Sequence, residues 1–136
     1  MSANRAIQVD PLRDATFSTA VVRDGWVFVS GLTAWIPGEG VERPGDLVHQ
    51  TEVVYERLAR VLEQAGCTFA DVVSTREFIT TTDGYRETAE IRRRYFTEPF
   101  PAATGVIVAG LLRPGVVIEV EAIAAVGSDR EVFSGS

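Results

Sequence analysis

Apolar and polar residues alternate with a changing period along this chain, and each change marks an element. Residues 1–14 are polar and carry no clear period. From Thr16, the stretches TFSTAVV, RDG and WVFVSG read as a strand, a tight turn and a second strand, with Asp24-Gly25 as the hairpin signal. In the second strand Trp26, Phe28 and Ser30 share one face, and Val27 and Val29 the other. The Gly/Pro-rich stretch IPGEGVERPGD reads as an exposed loop. Leu47, Val54, Leu58, Val61, Leu62 and Ala65 then recur at helical spacing, which predicts a helix between Gly45 and Gly66. Asp46 is its N-cap and Gly66 its stop, while Glu52, Glu56, Arg57 and Arg60 decorate the other face.

Alternation returns over about 71–80, where β-branched residues predict a strand. DGYRETAEIRRRYFTEP predicts a second helix with Tyr85, Ile91, Tyr95 and Phe96 on its apolar side and Pro99 beyond its end. Strands at about 102–109 and 115–126, joined by the turn LLRPG, close the pattern. The C-terminal tail is polar, with Val132 and Phe133 as its docking candidates. The expected order is strand, strand, helix, strand, helix, strand, strand. This is a single α+β domain over 1–136, core about 15–127, with two helices on one face of a mixed sheet. The other face would carry Trp26, Phe28 and the aliphatics of 102–126, a surface most simply buried by self-association.

Composition narrows the function classes. The formal net charge is −6, which disfavours nucleic acid as the main partner. Arg92, Arg93 and Arg94 are the only basic cluster, and consecutive residues of a helix point in different directions, so they read as a solvated face. With one cysteine, Cys67, and one histidine, His49, neither an intrachain disulfide nor a zinc site is expected. Cys67 reads as a small buried residue at a helix end. No signal peptide or membrane-length apolar run is visible, so the expected location is cytoplasmic.

Four motifs are spread along the pattern. They are GWVFVSG, HQTEVVYERLARVLEQAGCTFADVV, FPAATGV and VVIEVEAIA. In this order and spacing the chain resembles the RidA/YjgF family of reactive-intermediate (imine/enamine) deaminases, from about Thr16 to Val126. The resemblance implies a chorismate-mutase-like fold and a homotrimer whose three sheets form a central barrel, with clefts between subunits. It implies a small-molecule metabolite as partner and no metal or organic cofactor. In the family, the arginine of a Pro-Ala-Arg motif binds a substrate carboxylate. A water, positioned by backbone groups and a glutamate of the closing strand, attacks the imine carbon, and ammonia leaves.

Carried over residue by residue, Glu119 takes the place of that catalytic glutamate. Phe17, Ser30, Gly31, Leu32, Ala103, Thr104 and Glu121 fall at substrate-binding positions. Three of them depart from the family pattern. Ala103 stands where the arginine belongs, Phe17 where a tyrosine is common, and Leu32 where a glutamine is common. An arginine fork holds a carboxylate by two parallel hydrogen bonds, and alanine offers none. Arg76 reads mainly as a surface strand residue but is the better placed substitute; Arg113, in a turn, is a poor one. Trp35 either adds to the pocket wall or packs under its loop.

Glu119 and Glu121 are two apart and share a strand face, and such a pair can raise the pKa of one member. The expected function is therefore hydrolysis of a small imine, enamine or related nitrogen metabolite by Glu119 and water, on substrates other than the standard 2-iminoacids. The alternative is a non-catalytic trimer binding a small metabolite in the same cleft. Ribonuclease activity is disfavoured by the acidic balance and the single histidine. Ser30 has no histidine partner in view for a serine-hydrolase reading.

Overall fold

The computed structural model describes residues 3–9 and 15–126, so Val132 and Phe133 lie outside the described residues. The strands are β1 (Arg5–Ile7), β2 (Ala20–Arg23), β3 (Trp26–Leu32), β4 (Val72–Ile79), β5 (Ala102–Ile107) and β6 (Ile118–Ala125). The helices are α1 (Leu47–Gln64) and α2 (Tyr85–Tyr95), and a single 3₁₀ turn at Phe69–Asp71 leads into β4. Together the strands make one sheet of order β1-β2-β3-β6-β4-β5. Only β4 and β5 run parallel, with α2 as their crossover; all other pairs are antiparallel.

One strand was not expected. β1 pairs with β2 in a segment whose sequence shows no period, and Ile7 joins the core. The core therefore begins earlier than residue 15. The first hairpin strand is also shorter than expected, starting at Ala20. Its turn is as expected: Asp24 and Gly25 both have positive φ, the requirement of the tight hairpin that matches strand twist.

α1 agrees closely with its sequence pattern. Asp46 caps it by accepting from the backbone N of His49 at 3.0 Å. Leu47, Val54, Leu58, Val61, Leu62 and Ala65 are all buried, against Val27, Val29, Val120, Ala122 and Ala124 of the central strands. Tyr55 and Phe69 meet Tyr95 and Phe96 at the end of α2, with ring centroids between 4.8 and 6.4 Å apart. Both helices thus cover one sheet face. The other face is open, and Trp26 and Phe28 stand 45% and 48% exposed on it.

Gln50 ties the loops at one end of the sheet to α1. Its fully buried amide donates to the carbonyls of Arg43 and Gly115, each at 2.8 Å, and accepts from the backbone N of Val117 at 2.9 Å. Substituting Gln50→Leu strands the Val117 N–H and leaves the Arg43 and Gly115 carbonyls only their backbone donors, the N–H groups of Asp46 and Gly45. We expect a loss of about 1–3 kcal/mol in urea unfolding, the desolvation cost of a stranded group. An unchanged midpoint would show that solvent replaces the amide there.

Candidate functional site

The open face has a defect built into it at β3. Val29 pairs with Ala122 and Leu32 with Val120, so three residues of β3 span two of β6. This is a β-bulge at Ser30–Gly31, opposite Glu121. It reverses the facing of the rest of the strand. Leu32, placed at a substrate-binding position by the family resemblance, is 5% exposed and sits in the core. Ser30 is held by hydrogen bonds to the preceding strand segment: its hydroxyl donates to the Ser18 carbonyl at 2.6 Å and its N–H to the Thr19 carbonyl at 2.9 Å. The same bonds hold the backbone next to Phe17, whose ring stays exposed.

Glu119 lies over the bulge. A Cβ on Gly31 would fall 2.3 Å from Oε2 of Glu119 and 2.7 Å from its Cδ, so only glycine leaves room for this carboxylate. Burial, with the charge of Glu121 as the smaller cause, pushes the Glu119 carboxyl above the usual carboxylate range. Glu121 itself is paired. It stands opposite Arg76 across the β6–β4 ladder, with Nη1 3.4 Å from its Oε1. Thr104 is the next residue along the same row, so Thr104, Arg76, Glu121 and the bulge form one line across the open face. Phe28, Ser74, Arg76, Glu121 and Ile123 enclose a shallow cavity of about 210 Å³ there.

Ala103 is elsewhere. It pairs with Thr75, whose side chain is buried on the helix side together with Glu77 and Ile79. Within one chain Ala103 and Glu119 therefore point to opposite faces. Within one chain Arg76 stands on the face opposite Ala103, its guanidinium beside Glu121 on the open face. Trp35 packs within its loops, with the Arg113 guanidinium 5.3 Å from its ring and Gly40 against its edge.

The helix-side surface of β5 has its own groove, of about 160 Å³, whose lining includes Glu77, Ile79, Tyr85, Gly105 and Ile107. Behind it is a charged cluster that sequence reasoning missed. Arg92 turns inward, contrary to the solvated face expected of the three arginines. Its Nη1 donates to Oε2 of Glu77 at 2.7 Å and to the Tyr55 hydroxyl, and Nη2 lies 3.5 Å from Oγ1 of Thr75. The Tyr55 hydroxyl donates to the same Oε2 at 2.6 Å. Burial, then the Glu77 charge, pushes the Tyr55 hydroxyl up, so it remains a proton donor. Arg93 and Arg94 do stay on the surface, beside Glu90 and Glu52. Cys67 is buried as expected. Among the described residues no group of three or more His, Cys, Asp or Glu side chains gathers to hold a metal, and no helix is long and apolar enough to cross a membrane.

The sequence and the fold match known proteins across nearly the whole chain. The family model described as Endoribonuclease L-PSP covers residues 8–126. The chain belongs to the RidA/YjgF family. YyfA of Yersinia pestis, from the conserved Rid protein family, superposes with a TM-score of 0.81 at 31% identity, covering 91% of this chain and 100% of that one. A YjgF/YER057c/UK114 family member from Mycobacterium tuberculosis gives a TM-score of 0.76 at 32% identity, with the same coverage of both chains. The 2-iminobutanoate/2-iminopropanoate deaminase of Mus musculus is 32% identical over 117 residues, 86% of each chain.

Proposed function

We propose that this RidA-like protein hydrolyses a small imine, enamine or related nitrogen metabolite that lacks the carboxylate of a 2-iminoacid. The observation that carries the reading is the Glu119 carboxylate held over Gly31 with its pKa raised. A carboxylate in that state can take a proton from a water and return it to a leaving nitrogen near neutral pH. Glu119 and the β5 groove lie on opposite faces of one chain. A homotrimer that seats the β5 edge of one copy against the bulge of the next would bring them into one cleft. The open face, with Trp26 and Phe28 exposed, supports such an assembly.

The loss of arginine at 103 sets the substrate preference. Hydrolysis of 2-iminopropionate by the native protein should be slow, and Ala103→Arg should raise it by about 30-fold or more, the usual worth of a buried bidentate partner. Native turnover as fast as that of an arginine-bearing deaminase would overturn the proposal. The apolar lining of the β5 groove by Ile79, Val106 and Ile107 favours one other reading, a trimer that binds a metabolite without converting it. In that case Glu119→Ala leaves ligand affinity intact and no substrate is turned over.

A further inference from the structure

The β5 groove is more than a site that has lost a cation. Glu77 is 7% exposed, yet it lines the groove. Both of its donors, the Tyr55 hydroxyl and Arg92, go to the same oxygen, Oε2. No described residue donates to Oε1. Among the described residues the fully buried side-chain polar atom without a partner is Nε2 of His49, so Oε1 of Glu77, which has no donor, is not fully sealed in, and Glu77 lines the groove. Around it stand Ile79, Val106, Ile107 and the phenol of Tyr85, whose oxygen comes within 3.8 Å of where a Gly105 Cβ would be.

We infer that Glu77 is a specificity-determining residue, and that the groove takes a small, mainly apolar molecule presenting an N–H donor, an ammonium or a primary amide, to Oε1. This inference rests on the proposed function and names the substrate class more closely. The physical reason is an inversion of hydrogen-bonding sense. Where the family carries an arginine whose donors meet a carboxylate, this chain carries a methyl group at 103 and an acceptor at 77. Arg92 neutralises the Glu77 charge but gives its donors to Oε2, the Tyr55 hydroxyl and Thr75 Oγ1, so the groove sees a lone-pair acceptor. A carboxylate brought there would face that acceptor with nothing to donate. An unpaired polar contact of this kind is a stronger discriminator than any change of apolar shape. The small volume excludes a long chain on the donor.

The test uses three probes of matched shape, n-butylammonium, butyramide and butyrate, titrated into the intact protein at neutral pH. Binding is read from NMR shifts of the Gly105 and Ile107 amides. Butylammonium and butyramide should bind at least about tenfold more tightly than butyrate. Gly105→Val, at an exposed strand position with no atom closer than 3.8 Å to the added Cβ, should fill the groove and abolish the shifts without unfolding the protein. Glu77→Gln with Arg92→Gln, which removes both charges of the pair, should erase the preference. Equal or tighter binding of butyrate, or no binding of any probe, would overturn the inference. Glu119-dependent turnover of an imine is measured separately, so the hydrolase reading can stand when the groove assignment fails, and the reverse.

Discussion

Replacing Arg92 with methionine should lower the unfolding free energy by about 3–5 kcal/mol, because it leaves the Glu77 carboxylate buried without its counter-charge. For a domain of this size that corresponds to a fall of roughly 10–15 °C in Tm. The expectation rests on the asymmetry of buried ion pairs. Breaking one partner exposes the full desolvation cost of the other, whereas removing both is often close to neutral. Among the described residues Glu77 has its one ionic partner in Arg92, and the Tyr55 hydroxyl alone does not balance a charge. Arg92 also lies over the rings of Tyr55 and Phe96, 5.8 and 5.0 Å from their centroids, and methionine keeps much of that packing. The double variant Glu77→Val/Arg92→Met should therefore recover most of the loss. A single variant within about 1 kcal/mol of the native protein would mean that water already reaches the pair.

The second large effect concerns turnover. Glu119→Gln should reduce imine hydrolysis by about 10²–10⁴-fold, the usual contribution of a positioned general base, with little change in thermal unfolding. Gly31→Ala should do nearly the same with the carboxylate still present, because its Cβ would occupy the space of Oε2. The pH profile gives an independent check. The working base is the ionised form, so turnover should rise with pH through a pKa above the ordinary carboxylate value. Burial is the larger cause of that raised pKa and the Glu121 charge the smaller. Glu121→Gln removes the smaller cause, so the rising limb should move to lower pH. A limb that stays where it was, or a Gly31→Ala protein of native activity, would remove Glu119 from the chemistry.

Much of the fold is legible in the sequence because α1 and the central strands bury one regular stripe each. The six apolar positions of α1 are all core residues, and Val27 and Val29 face inward as their alternation says. The misreadings have local physical reasons. Counting by twos from Trp26 puts Leu32 on the open face, but the extra residue in the bulge moves it inside. A Ser-Gly pair within a strand pattern is the signal that could have warned of this. β1 escapes a pattern search because three residues held by backbone hydrogen bonds need only one buried side chain, Ile7. Arg92 reads as solvated beside Arg93 and Arg94. Yet Tyr85, Thr88, Arg92 and Tyr95 recur at spacings of three and four along one side of α2, and Glu77 alternates with the inward Thr75 and Ile79. A charge of each sign on two buried stripes is readable, but their meeting is not, because it depends on how α2 crosses the β4–β5 pair. The opposite facing of Ala103 and Glu119 is hidden for the same reason: it comes from strand register, which the motifs do not carry.

β5 has a consequence for handling the protein. Its six residues, Ala102–Ile107, are all exposed, form the outermost strand on their side of the sheet, and include no charged side chain. Edge strands in soluble proteins are commonly guarded by lysine, an internal proline or a bulge, and this one has none of these between its ends. An isolated chain therefore offers an unguarded template onto which another strand can add.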